Sequence, residues 1–63
     1  MEAYIYKGRQ FSLVIKRVGK YFDWYYMDDN LKPHRNIDEL APTEAIAREE
    51  AINDIHAFID ELD

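Results

Sequence analysis

Residues 10–17 alternate between apolar and polar side chains, which is the pattern of a strand with one buried face. The residues expected on the two faces are Phe11, Leu13 and Ile15 on one side and Ser12, Val14 and Lys16 on the other. Gly19 follows and supplies the positive φ that a tight hairpin needs. A second strand is therefore predicted at residues 21–27. It ends at three turn-forming residues, Asp28, Asp29 and Asn30.

Two further segments have weaker strand patterns. Residues 32–37 are predicted to form a third strand, and Pro33 places it at an edge because proline has no N–H to donate. Residues 3–8 can form a separate strand that turns at Lys7-Gly8-Arg9, or a bulged extension of the strand that follows. The extension, with Gly8 at the bulge, is the favoured interpretation, so the sheet is expected to have three strands.

The period of the apolar residues changes to that of a helix at about residue 43 and keeps it to about residue 62. Thr43 suits the N-cap, and Glu44 suits the positive end of the helix dipole. The predicted fold is α+β, with a three-stranded antiparallel sheet at about residues 3–37 and one C-terminal amphipathic helix on one of its faces. We expect one domain over residues 1–63.

The predicted core combines the buried strand faces with the apolar stripe of the helix. Its expected members are Phe11, Leu13, Ile15, Phe22, Trp24, Ala51, Ile52, Ile55, Phe58, Ile59 and Leu62.

Aromatic rings are unusually dense in the second predicted strand, at positions 21, 22, 24, 25 and 26. Pairing with the first strand brings Phe22, Trp24 and Tyr26 to the side that the helix covers. The opposite side, which we call the open face, then carries an apolar set without an obvious cover, namely Val14, Tyr21, Tyr25 and Met27. This leftover apolar surface is the main functional clue in the sequence.

Composition limits the class of protein. The chain has 63 residues, no cysteine and a net charge of −5. A chain this short has a marginal core, and without disulfides it depends on good packing or self-association. It has no apolar run long enough to cross a bilayer and no signal-peptide pattern at its start, so we expect a soluble, cytoplasmic protein without membrane contact.

Three interpretations of the open face remain at this point. Tyrosines on an exposed strand can pair across the sheet without any further role. The same residues, Val14, Tyr21, Tyr25 and Met27, can form a protein-interaction site, either in a homodimer or with another protein. The third interpretation is single-stranded nucleic-acid binding, with the rings as a stacking platform and Lys16, Arg17 and Lys20 as phosphate contacts.

Charge argues against the nucleic-acid interpretation. Residues 1–37 carry seven Lys/Arg and four acids, whereas residues 38–63 carry one Arg and nine acids. The first segment is thus +3 and the second −8, and the acidic helix would repel phosphate. Nucleic acid is therefore an unlikely partner on sequence grounds.

Residues suited to catalysis are few. Ser12 is the only serine and Thr43 the only threonine, and neither lies in a nucleophile motif. His56 is expected to be solvated on the polar helix face, and His34 to lie in a turn or edge. Asp28 and Asp29 lack the spaced ligands of a calcium loop. We expect a non-catalytic protein with no cofactor and no metal.

The chain also resembles a known group of small folds. The features that carry the resemblance are the glycine hairpin at Gly19, the aromatic strand "YFDWYYM" and the helix entry "PTEAIAREEA" at residues 42–51. With these, the chain resembles the strand-strand-strand-helix units of HicB-like antitoxins and small uncharacterised bacterial proteins of the same pattern. The resemblance implies an oligomeric binding module. The loop "MDDNLKPHRNIDEL" departs from the Pro-Asp-rich loop of HicB-like proteins, so no functional residue is carried over.

Overall fold

The computed structural model describes residues 1–62. Its fold is α+β, with four strands followed by one C-terminal helix. The elements are β1 at Glu2–Tyr6, β2 at Arg9–Val18, β3 at Tyr21–Met27, β4 at Pro33–Arg35 and α1 at Glu44–Leu62. The strands form one antiparallel sheet in the order β1-β2-β3-β4.

The expectation of three strands is wrong, because β1 is a strand of its own and not an extension of β2. Lys7 and Gly8 connect the two strands with φ values of 51° and 77°, and positive φ at both central positions is the mark of a type I′ hairpin turn. Tyr6 and Arg9 face each other across this turn. Gly8 thus allows the chain to reverse where we expected a bulge.

The second hairpin has the register that the alternation predicts. Leu13 pairs with Tyr26, and Ile15 pairs with Trp24, so these side chains share the face covered by α1. Gly19 takes a φ of 63° in the connecting turn. The third predicted strand is present as β4, which is shorter than expected and lies at the sheet edge with Pro33 opposite Met27.

The helix begins where the sequence predicts, because the Thr43 hydroxyl oxygen accepts a hydrogen bond from the Ile46 N–H at 3.1 Å. The chain reaches this cap by running back along β3. Phe22 and Ala41 exchange two backbone hydrogen bonds of 2.8 Å, and Ala41 is buried. Residues 36–42, which we call the return segment, thus tie the start of α1 to the sheet.

Most of the predicted core is confirmed. Six of its residues are buried, and four others, Ile15, Phe22, Ile52 and Phe58, are partly buried against them. Leu62 is the exception at 59% exposed, because burial along α1 ends at Ile59. Three buried hydrophobic residues were not in the predicted core: Tyr26, Ala41 and Ala47. The predicted domain of residues 1–63 includes Asp63, which lies outside the described residues.

Candidate functional site

The open face has a continuous apolar row at its centre. Val14 lies opposite Tyr25 across the β2–β3 pair, and Tyr25 lies opposite Arg35 across the β3–β4 pair. Met27 lies two residues along β3 from Tyr25, and therefore on the same face. Tyr25 is 39% exposed, whereas Val14 and Met27 are half-buried. The structure thus brings three of the four predicted interaction residues together.

The fourth predicted residue, Tyr21, lies at the hairpin end of the same face. It pairs with Val18 and is 50% exposed. Between this pair and the central row lies Lys16, opposite Asp23. The apolar surface of the open face is therefore two patches separated by an oppositely charged pair.

The three cations predicted for the nucleic-acid alternative do not share one surface. Lys16 lies on the open face. Arg17 follows it on the helix side, opposite Phe22, and its Nε donates to the Gly19 carbonyl at 2.9 Å. Lys20 lies in the hairpin turn.

Arg35, which was not among the predicted contact residues, lies beside Tyr25 on the open face. Together with Lys16, Asp23 and Tyr25 it lines a shallow pocket of about 490 Å³. The pairing of β4 with β3 decides which side Arg35 occupies, and three residues of β4 are too few to show an alternation. Its position could therefore not be found from the sequence.

Asp28 organises the turn between β3 and β4. The residue is only 4% exposed. Its Oδ1 accepts hydrogen bonds from the backbone N–H groups of Asn30 at 2.8 Å and Lys32 at 3.0 Å, and His34 Nε2 lies 3.0 Å from its Oδ2. Burial acts to raise the pKa of Asp28, but hydrogen bonds from His34, Lys32 and Asn30 outweigh it, so the pKa lies below its usual range.

Asp29 has a different partner. Its carboxylate accepts two hydrogen bonds from the Arg9 guanidinium, from Nε at 2.8 Å and from Nη2 at 2.5 Å. The Arg9 hydrogen bond is the main reason that the pKa of Asp29 is lowered. The two adjacent aspartates therefore have different partners, the β3–β4 turn for Asp28 and Arg9 for Asp29. Among residues 1–62, no three His, Cys, Asp or Glu side chains converge as metal ligands.

His34 belongs to a ring stack on the helix side of the sheet. Its ring lies parallel to that of Tyr26, with centroids 4.6 Å apart, and the ring of Phe58 lies 4.6 Å from it on the helix. The Tyr26 hydroxyl donates to Asp54 Oδ2 at 2.7 Å. Burial, and then this hydrogen bond to Asp54, raise the pKa of Tyr26. These contacts join β3, β4 and α1.

His56 lies between β1 and the helix. Its Nε2 is hydrogen-bonded to the Tyr4 hydroxyl at 2.6 Å, and its ring stacks on that of Tyr6 at 3.9 Å between centroids. It is half-buried, so the expectation of a solvated histidine is wrong. The reason is β1, which was expected to be an extension of β2 and whose tyrosines extend over this part of α1.

An acidic cleft of about 1100 Å³ lies between α1 and the return segment. Trp24, Leu40 and Pro42 contribute apolar walls, and the carboxyl groups are those of Asp38, Glu39, Glu50 and Asp54. The Trp24 Nε1–H donates to Glu50 Oε1 at 3.4 Å. The cleft is thus negatively charged and lies on the helix side, away from the open face.

The hydroxyl residues considered for catalysis lie in different parts of the fold. Ser12 pairs with Met27 on the open face, whereas Thr43 caps α1.

Within the described part of the chain, no helix is both long enough and apolar enough to span a membrane. Comparison of the chain with family models, with curated proteins and with solved structures found no match.

Proposed function

We propose that this chain is a small non-catalytic interaction module that self-associates, or binds a second protein, through the open face. The observation that carries the proposal is the exposure of Tyr25 within an apolar row with Val14 and Met27. The single helix packs on the other side of the sheet, where it covers Phe11, Leu13 and Tyr26. Within residues 1–62 no helix packs on the open face.

The residue types on this row suit a protein contact. Tyrosine and methionine are enriched at the centres of protein interfaces, and tyrosine gives a large contact area with few rotatable bonds. The charged pair of Lys16 and Asp23 beside the row provides polar groups of both signs. Such groups set the orientation of a partner more than they add affinity.

Chain length is a second argument for association. A chain of 63 residues without cysteine has a small core, and a partner that covers the open face would add buried apolar area. The resemblance to HicB-like units agrees with this proposal, because that resemblance implies an oligomeric binding module.

The alternative function is single-stranded nucleic-acid binding on the same face. The observation that favours it is the position of Tyr25, which lies in one shallow pocket with Lys16 and Arg35. A ring flanked by two cations suits a stacked base and its phosphates. The net charge of −5 disfavours this alternative.

Sedimentation equilibrium of the wild type and Tyr25→Ser tests the first proposal. We expect Tyr25→Ser to weaken association, because it removes the exposed ring at the centre of the row. Ile46→Ser is the matched control, since Ile46 is 40% exposed but lies on α1. Equal association of the wild type and Tyr25→Ser would reject the open face as the self-association surface.

Anisotropy of a labelled single-stranded oligonucleotide tests the alternative. Binding that falls steeply with salt, and that is lost in Arg35→Gln, would favour nucleic acid. Association between protein chains through tyrosines is expected to be much less sensitive to salt.

A further inference from the structure

The two edges of the sheet differ in how they are protected. The β4 edge is only three residues long and contains Pro33, and the return segment continues beside β3 through the Phe22–Ala41 bridge. The β1 edge has five residues, Glu2–Tyr6, without proline, glycine or lysine. No other segment of residues 1–62 hydrogen-bonds to the outer side of β1. A strand edge of this kind is a template for a further strand.

Hairpin geometry determines which backbone groups of β1 face outward. In a two-residue type I′ hairpin the residues next to the turn form a hydrogen-bonded pair, and hydrogen-bonded and non-hydrogen-bonded pairs then alternate. Tyr6 and Arg9 are the residues next to the turn, so Tyr4 also bonds inward to β2. The N–H and C=O groups of Ala3 and Ile5 therefore point away from the sheet.

We infer that β1 pairs with β1 of a second copy of this chain, in an antiparallel arrangement centred on Tyr4. This register uses both outward-facing residues, because Ala3 of each copy then exchanges two hydrogen bonds with Ile5 of the other. Two sheets of four strands become one sheet of eight. The twofold axis is perpendicular to the sheet, so both helices lie on the same side and both open faces lie on the other.

Side chains on β1 suit pairing with a copy of itself. On the open face the small Ala3 lies opposite the large Ile5, which is 67% exposed in the single chain. On the helix side Tyr4 lies opposite Tyr4 of the partner subunit, and aromatic pairs of this kind stabilise neighbouring strands.

This inference goes beyond the proposed function and does not depend on it. The open face presents side chains, whereas the β1 edge presents backbone groups. If both contacts form, the edge pair places two open faces side by side on one surface. A partner could then be bound twice, which raises the overall affinity when both contacts are made together.

Disulfide trapping tests the register, because the chain has no cysteine of its own. Ala3→Cys and Ile5→Cys are oxidised separately and as a mixture, and the products are identified by mass. Directly opposed residues of a hydrogen-bonded pair have Cα atoms about 5.5 Å apart, within the range that a disulfide spans. Identical positions on the two copies would be farther apart, at about 8 Å from the strand spacings.

We therefore expect the mixed disulfide between Ala3→Cys and Ile5→Cys to dominate. Gln10→Cys is the control, since Gln10 lies beside Ile5 on the same face but one strand farther from the edge. A mixed product no more abundant than the products of each variant alone, or than those of the control, would overturn the inference.

Sedimentation of Ala3→Pro provides an independent test. Proline at an edge strand is tolerated where the lost N–H points to solvent, so the single chain is expected to keep its fold, as checked by circular dichroism. Its association should be weaker than that of the wild type, whereas an equal association constant would overturn the inference. A double variant with Tyr25→Ser should associate least. If Ala3→Pro leaves the association constant unchanged while Tyr25→Ser lowers it, edge pairing is rejected. If Tyr25→Ser leaves it unchanged while Ala3→Pro lowers it, association through the open face is rejected.

Discussion

His34 donates a hydrogen bond from Nε2 to Asp28 Oδ2 at 3.0 Å, inside the turn that joins β3 to β4. An ionised carboxylate has only acceptors, so the proton in this bond belongs to the histidine. The same carboxylate holds the backbone N–H groups of Asn30 and Lys32. One buried side chain therefore determines the conformation of the turn and the position of the short edge strand that follows it.

Replacement of Asp28 should destabilise the fold markedly. Asp28→Ala removes the acceptor of three partly buried hydrogen bonds, and we expect the free energy of unfolding to fall by about 2–3 kcal/mol. Urea unfolding followed by circular dichroism measures this change. Asp29→Ala is the control, and it should have much less effect because its ion pair with Arg9 is at the surface. Equal losses in the two variants would contradict this account of the turn.

Stability should also fall in acid in a way that depends on Asp28. Its pKa in the folded state lies below the ordinary value of 3.8, so its contribution is fully present above that value and is lost as the pH falls through the folded pKa. Glu2, Asp29 and Asp60 have lowered pKa values and act in the same direction. The difference between the wild type and Asp28→Asn isolates the contribution of Asp28. We expect this difference to shrink toward strongly acidic pH, and a constant difference would contradict the assignment.

Gly8 should be sensitive to any side chain. Its φ of 77° is unfavourable for other residues, although a Cβ atom at this position would meet no atom within 4 Å. We therefore expect Gly8→Ala to lower the free energy of unfolding by about 1 kcal/mol through backbone strain alone. Gln10→Ala, at an exposed position in extended β2, is the control and should be nearly neutral. Thermal unfolding of both variants measures the difference, and a neutral Gly8→Ala would argue against the type I′ turn.

Leu31 offers a stabilising substitution. It has a φ of 61° and is 76% exposed, so a large side chain occupies a left-handed conformation without being buried. Asparagine tolerates this conformation better, and we expect Leu31→Asn to raise the free energy of unfolding by about 0.5–1 kcal/mol. Leu40→Asn is the comparison and should not be stabilising, since Leu40 is partly covered. A loss of stability in Leu31→Asn would contradict the strain argument.

The parts of the fold that follow from periodicity were predictable from the sequence. Alternation in β2 identified the buried Phe11 and Leu13, and the helical stripe identified Ile55 and Ile59. The number of strands was not predictable in the same way. Gly8 fits both a bulge and a hairpin turn, and Lys7 gives no sign that it adopts positive φ. The positive φ of Lys7 and Gly8 therefore makes β1 a separate strand and gives the sheet four strands instead of three.

Contacts between distant segments were the part of the candidate site that sequence reasoning could not find. Arg35 reaches the open face through the pairing of β4 with β3. His56 becomes half-buried because Tyr4 and Tyr6 of β1 lie against it. Both depend on the relative positions of strands and helix, for which local patterns carry no signal. Val14, Tyr25 and Met27, by contrast, lie together because alternation and the hairpin register are enough to place them.

The association constant of the wild type, compared with that of Tyr25→Ser by sedimentation equilibrium at low and at high salt, tests the central claim most directly. We predict that the wild type associates at both salt concentrations and that Tyr25→Ser associates more weakly at both, while Ile46→Ser matches the wild type. Salt should have little effect because the contact is made by apolar rings and not by ions. Association that is equal in the wild type and Tyr25→Ser, or a monomeric wild type at every concentration, would contradict self-association through the open face.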